Sequence, residues 1–335
     1  MSTEFVARQD FRSNRTGPVR YIWSHVRRHP WVGLGVLIGA LSNAAFSATV
    51  PYFAGRAFNH VIAATKGQET AAAALSFTGI MALSIIGAQL LRGALQLWRN
   101  YSSATFAERI ERDVRDELYS SLLGKNMAYH DSQPVGEMMA RVTNDVHEIN
   151  LLFNPGLNML IGSTMFLLTP LVSAPLINPA LWPVPYAFVV LYFIAQIQFT
   201  RRLHAIATQV RESFGHMNTR LAESLDGIEV VKGTAQEEQE AQKFTDMVEE
   251  VRRRFVEQGR LEARYFTIML LGLVNVAALA HAILLFRAGV ITTGDIIAYL
   301  GQINLFNMPV TSSLFSLSRV ALGYASSERI LKVLN

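Results

Sequence analysis

Apolar and polar positions divide this chain into long blocks. Five stretches carry no Asp, Glu, Lys or Arg: residues 29–55, 70–91, 149–200, 265–286 and 296–318. A helix crossing bilayer hydrocarbon takes about 20 apolar residues, so four of these stretches hold one crossing each. The third is 52 residues long and has Pro170, Pro175, Pro179, Pro183 and Pro185 in its middle, which predicts two helices joined by a short turn. Six crossings result. In lipid only helices and closed barrels satisfy the backbone, and these runs lack a barrel's alternation. The pattern therefore predicts an all-α membrane protein.

Between the blocks, two polar stretches keep a helical period. In residues 102–126 the apolar side chains Phe106, Ile110, Val114, Leu118 and Leu122 recur every fourth position. Glu108 with Arg112 and Glu111 with Arg115 are acid-before-base pairs at the favourable spacing. The second crossing is thus expected to continue about 30 Å or more beyond the membrane. Residues 201–264 behave alike, with Leu221, Leu225, Phe244, Val248, Val251 and Phe255 set among charges. Each stretch leaves the membrane and returns, so each is a helical hairpin. The first tip is expected near 129–138, where Pro134 and Gly136 interrupt the helix. The second is expected near 211–219, around Phe214 and Gly215, with Gly227 and Gly233 following.

The remaining organisation is simpler. Residues 1–16 read as a disordered tail. Residues 17–28 form a short helix on which Val19, Ile22, Trp23 and Val26 make an apolar stripe flanked by Arg20, Arg27 and Arg28, as for a helix lying in the membrane interface; the plain alternative is a solvated basic tail. Residues 29–320 are the six-helix domain, and 321–335 a linker out of it.

Composition agrees with this outline. Of 335 residues, 50% are apolar and 17% charged, with mean hydropathy +0.23, whereas soluble domains run nearer a quarter charged. Arg56, Lys66 and Arg287 fall on one side of the membrane and the rest of the 30 Lys and Arg on the other, which makes that other side, and both termini, cytoplasmic. The net charge of +4 expresses this bias and points to no nucleic acid. The chain has no cysteine, which excludes disulfides and thiolate metal sites. The first apolar run is too long for the core of a cleaved signal peptide and reads as a retained helix. No phosphate-binding G-x-x-x-x-G-K-[ST] loop, H-E-x-x-H or Cys/His metal cluster occurs, so this chain is expected to hold no catalytic site and no cofactor of its own.

The candidate functional residues cluster at the hairpin tips. The first motif runs Tyr129, His130, Asp131, Pro134, Gly136, Glu137, Arg141 and Asp145; the second runs Asn218, Glu223, Gly227-Ile228, Val230-Val231-Lys232, Glu237 and Phe244. By periodicity alone both could be structural turns. The first resembles the first intracellular loop of ATP-binding cassette (ABC) exporters and the second resembles their second loop. The ending Ala325-Ser326-Ser327-Glu328-Arg329-Ile330 resembles the segment that leads from their sixth span to the nucleotide-binding domain. The likeness covers the chain from about residue 17 onward, in the family's order. His130 departs from it, standing where Phe is commoner, and the chain stops at Asn335, where an ATPase domain would begin; a chain cut before its ATPase, or a gene split from it, is expected.

The resemblance implies that each tip is a coupling helix docking on a nucleotide-binding domain, fused or separate, which holds ATP and Mg. It also implies a homo- or heterodimer of transmembrane chains in a bacterial inner membrane, with the second tip meeting the other chain's ATPase. ATP-driven closure would tilt the rods and turn the spans outward.

Polar groups inside spans are the candidate substrate path, because they are costly in lipid and usually face the bundle interior. Gln89, Arg92, Gln96 and Arg99 share one face of the second span. Asn304, Asn307 and Thr311 share a face of the sixth beside Pro309, and Asn43 and Ser47 a face of the first. The alternative is interhelical hydrogen bonding that only holds the bundle; for the lone His281 it is packing. Two other functions remain open on residues alone. An ion-coupled secondary transporter would carry acids at mid-membrane, and no Asp or Glu lies in any predicted span. A non-transporting scaffold or receptor would bind no ATPase at its tips.

Overall fold

The computed structural model describes residues 13–264 and 266–335, and no strand occurs among the described residues. Of the expected tail, residues 1–12 lie outside the described residues. Ser13 to Thr16 are instead fixed: Ser13 Oγ and the Arg15 guanidinium both donate to Glu117.

The helices run α1 (Pro18–Val26), α2 (Pro30–Thr65), α3 (Ala71–Leu123), α4 (Met127–Ser132), α5 (Val135–Ala140), α6 (Val146–Leu151) and α7 (Asn158–Ile177), then α8 (Pro183–Asp226), α9 (Ile228–Gly233), α10 (Glu237–Ala263), α11 (Phe266–Arg287), α12 (Thr293–Ile303) and α13 (Asn307–Leu334). Five helical runs are long and apolar enough to cross a bilayer: Pro30–Thr65, Ala71–Leu123, Val135–Ile177, Pro179–Asp226 and Glu237–Arg287. The sixth expected crossing is in two pieces, α12 and α13, joined by a 3-10 turn at Asn304–Phe306. Pro309 explains the break, since it has no N–H for the Leu305 carbonyl and its ring crowds that position.

The 52-residue apolar stretch does hold two helices. Its turn uses Asn178, whose side chain caps the 3-10 turn Pro179–Leu181, and Pro183, which opens α8. Pro170 and Pro175 lie inside α7. A second break falls at Asn154 (φ −135°, ψ 108°) in the widened turn Leu152–Leu157; Pro155 follows, and the residue before a proline is pushed to the extended region.

The chain divides into two compact units. One comprises the residues up to Pro185 and Asn275–Asn335. Its hydrophobic core lies at the charged end of α3: Phe106, Ile110, Val114 and Leu118 meet Tyr21 of α1, Val146 and Ile149 of α6, Phe153, and Ile330, Leu331, Val333 and Leu334 of α13. The regular spacing read from the sequence thus marks the buried face. Of the two expected ion pairs on α3, Glu111–Arg115 forms. Glu108 takes a hydrogen bond from Asn150 Nδ2 at 3.0 Å, while Arg112 turns to Asp113 at 3.0 Å. Elsewhere α2 and α12 touch backbone to backbone: a Cβ on Gly55 would lie 2.2 Å from the Gly294 carbonyl oxygen. The Thr292–Asp295 capping box starts α12 there.

The other unit is Tyr186–Val274, in which α8 and α10 are tied by Arg220–Glu240 at 2.9 Å and Arg254–Gln209 at 3.1 Å. Here the structure corrects the sequence. Residues 211–219 form no separate tip helix but continue inside α8. A lone glycine costs a helix about 1 kcal/mol without breaking it, and the Gly215 Cβ position is open. The chain turns instead at Gly227 and across Thr234–Gln236, with α9 between and Ala235 at φ 51°.

Candidate functional site

The first tip is built from local capping. The Asn126 side chain accepts the Tyr129 N–H at 3.0 Å and so starts α4. His130 Nε2 lies 3.1 Å from the Leu122 carbonyl, folding α4 back on the end of α3. Gln133 is extended ahead of Pro134, which opens α5. Gly136 does not break the helix, as expected from sequence, but sits in the first turn of α5 with open space over it. Lys125 Nζ stands 5.2 Å over the Tyr129 ring, and Glu137 pairs with Arg141. Partial burial raises the Tyr129 hydroxyl above its ordinary value, Arg141 opposing and Glu137 adding. No residue of α4 or α5 is buried. Met127, Val135 and Met139 are exposed, as is Asp131.

Asp145 lies elsewhere. It is buried in the widened turn Arg141–Asp145, and its carboxylate receives Arg329 Nε at 3.0 Å and Nη2 at 2.6 Å. Arg329 also reaches Ser326 Oγ at 2.7 Å. The last residue of the first loop motif thus meets the terminal motif, 184 positions on. Hydrogen bonding to Asp145 holds the guanidinium above its ordinary value, against some desolvation.

A second polar junction escaped the sequence reading. Glu117, buried on α3, receives Arg15 Nη2 at 2.8 Å and lies 3.2 Å from His25 Nε2. One turn earlier, Asp113 meets His29 at 2.8 Å, Arg28 at 3.2 Å and Arg112 at 3.0 Å. Arg15 Nη1 also donates to the Leu334 carbonyl at 2.9 Å. Burial would raise both carboxyls. For Glu117, hydrogen bonds from His25, Ser13 and Arg15 outweigh it; for Asp113, those from His29 and Arg112 with the charge of Arg28 do so. Both carboxyls stand below their ordinary values. The available signal was spacing: His25 and His29 are four apart, as are Asp113 and Glu117. The expected apolar stripe of α1 is also refined. Val19 and Trp23 are exposed, while Tyr21 and His25 are the buried pair.

At the second tip, Phe214, Gly215, Asn218 and Glu223 are all exposed on α8. The turn they were expected to form lies beyond them, where the Gly227 N–H donates to the Glu223 carbonyl at 2.9 Å. Ile228 and Val230 are exposed there.

The structure brings some of the intramembrane polar residues together. Arg92 Nε donates to Asn43 Oδ1 at 2.7 Å and Arg92 Nη1 to Gln89 Oε1 at 3.0 Å, while Gln89 reaches the Phe46 carbonyl at 3.3 Å. Arg92 and Gln89 thus each bond from α3 to α2. Ser47 donates to the Asn43 carbonyl. Gln96 bonds Asn100 on its own helix. Asn304 donates to the Leu300 carbonyl and Thr311 to the Asn307 carbonyl, and Asn304 and Asn307 are exposed. Arg99 is buried against α7, donating to the Asn158 carbonyl at 2.5 Å; a Cβ on Gly162 would lie 2.7 Å from its Nη2. The His281 ring packs edge-on to Tyr299 at 6.4 Å. A cavity of about 720 Å³ between α2, α7 and α12 contains none of the expected path residues; its polar lining is Thr49, Tyr52, Thr169, Ser173 and Gln302. Gln302 was missed from sequence; it donates to the Ala48 carbonyl and accepts from Ser173.

Residues 34–310 match the family model described as the ABC transporter transmembrane region. Among similar proteins, the ABC transporter ATP-binding protein YknU of Bacillus subtilis is 23% identical over 321 residues, 94% of this chain and 52% of its own length. The fatty acid ABC transporter ATP-binding/permease protein of Mycobacterium bovis is 27% identical over 279 residues, 80% of this chain and 42% of its own. The ATP-dependent lipid A-core flippase of Chromobacterium violaceum is 25% identical over 225 residues, 65% of this chain and 38% of its own. The chain spans about half the length, or less, of these curated relatives.

Proposed function

This chain belongs to the ABC transporter transmembrane family, and on that premise we propose that it forms the membrane half of an exporter whose hairpin tips are moved by nucleotide-binding domains. The observation that carries this reading is the first hairpin. The helix α3 runs 53 residues, about 80 Å at 1.5 Å per residue, well past the roughly 30 Å of hydrocarbon. It ends at a tip with no buried residue on α4 or α5, room over Gly136, and Met127, Tyr129 and Val135 for another protein to grip. Asp145–Arg329 and the Glu117 and Asp113 junctions brace the rod behind that tip. Closure of two ATPase domains would then be passed on as helix tilt.

In this reading the Lys and Arg excess puts both tips and both termini on the cytoplasmic face of a bacterial inner membrane. ATP and Mg belong to the nucleotide-binding domain, since this sequence has no phosphate loop to hold them. A second transmembrane chain, identical or related, completes the pathway. Phe214, Gly215, Asn218, Glu223 and the turn after Gly227 form the second docking surface. The cargo is an amphipathic or lipid-like compound. The cavity with Gln302 offers an apolar wall with few polar groups, as ligand sites do, and two relatives are named for fatty acid and lipid A-core.

The test joins this chain to an ATPase domain, fused or co-expressed, and measures substrate-stimulated ATP hydrolysis in liposomes. A cysteine placed at Met127 should crosslink to the ATPase domain, and Asp131→Ala should leave hydrolysis but lose transport. Folded proteins that neither crosslink nor couple would overturn the reading.

A further inference from the structure

The interfacial helix α1 lies over a groove whose other walls come from α2, α3, the Leu152–Leu157 turn, α7 and α13. The cavity is about 700 Å³ and is lined by Leu34, Leu37, Phe106, Phe153, Ile161 and Val320, with Arg27, Ser103, Asn158 and Tyr324 among its few polar members. Open apolar surface of this size on a protein marks a binding site, and two observations say what this one takes.

The first is charge. Residues 17–28 hold three arginines and no acid. Arg28 is committed to Asp113 at 3.2 Å, and Arg20 reaches the Thr16 hydroxyl at 3.2 Å. Arg27 lines the groove and has no carboxylate partner among the described residues. The second is level. Trp23, which lines the groove, is 58% exposed and Trp31 is 81% exposed; exposed indoles of this kind sit at the membrane–water boundary.

We propose that this groove holds an acyl chain of an anionic glycerophospholipid drawn from the bilayer. The lipid phosphate pairs with Arg27. The site needs only that α1 lies on a bilayer and is independent of any ATPase.

The experiment uses the full chain with Trp23 as its single tryptophan (Trp31→Phe, Trp98→Phe, Trp182→Phe) in phosphatidylcholine nanodiscs. A small fraction of dibrominated phosphatidylglycerol, or of dibrominated phosphatidylcholine, is added and Trp23 quenching is followed. Phosphatidylglycerol should quench at about fivefold lower mole fraction, the preference expected of one arginine at an anionic surface. Arg27→Gln should abolish that preference, and Arg20→Gln, outside the groove, should keep it. Circular dichroism and gel filtration confirm that each variant is folded. Equal quenching by both lipids overturns the proposal. So does a preference that survives Arg27→Gln, or one that Arg20→Gln removes equally, which would be surface charge alone.

Discussion

The two halves of α3 obey opposite rules. In its apolar half few residues are buried within the chain, and Leu83 and Leu90 point outward at 71% and 70% exposure. In its charged half Ile110, Val114 and Leu118 are at 1% exposure or less. Hydrophobicity alone therefore does not locate the core. Burial releases free energy only where the alternative is water, and a leucine facing lipid tails has no such incentive. The packed core belongs to the segment with fewer apolar residues. Tyr186–Val274 supplies the contrasting case: Leu225, Val230 and Phe255 sit among charges like the α3 series, yet stay 61%, 69% and 52% exposed.

The largest test of this contrast is a pair of truncations. Ile110→Ala should cost about 2–5 kcal/mol of unfolding stability, read from denaturant unfolding in detergent, while Leu83→Ala should cost less than about 0.5 kcal/mol. Equal losses would erase the distinction between the halves. Next comes the junction that closes the charged half. Asp145→Asn should cost about 1–3 kcal/mol, with faster hydrogen exchange at the end of α13 near Arg329; an unchanged exchange pattern would remove the pair from the bracing.

Acid should loosen the same half as these carboxyls take up protons. Glu117 and Asp113 are held below their ordinary values, so their contribution is complete above the unfolded carboxylate range and is lost as pH falls through the lowered folded values. Proteolysis after Arg15 should therefore accelerate only in that acid window, and Glu117→Gln should flatten the dependence. Smallest is Ala235→Gly, which relieves a non-glycine residue at φ 51° and should add about 0.5–1 kcal/mol to the second hairpin, measured by local hydrogen exchange.

Much of this was legible beforehand, for reasons tied to particular residues. The four-residue spacing of Phe106 to Leu122 is a local signal, and it found the buried face before any packing was known. Asp131, Pro134 and Glu137 were placed at a tip because Pro134 falls where the helical pattern stops, although Pro170 and Pro175 inside α7 show that a proline need not end a helix. The Asp145–Arg329 pair was not legible: both ends were singled out, but nothing local couples residues 184 apart. The second tip was misplaced because Gly215 was read as a breaker, while the turn formed where Gly227 and Ala235 end their helices. Among the intramembrane polar residues, type was informative and grouping was not, because hydrogen bonds depend on which helices are neighbours.

The backbone contact between Gly55 and Gly294 has a consequence for the last crossing. It fastens α12 to α2, and the Asn59 side chain accepting the Gly294 N–H at 2.8 Å secures the joint. Beyond the turn at Asn304–Phe306, α13 packs instead on α6, α7 and the Leu152–Leu157 turn. One stretch of chain thus has two mechanical allegiances, and a rotation of α2 against α7 would strain both that turn and Gln302, which bonds Ala48 of α2 and Ser173 of α7.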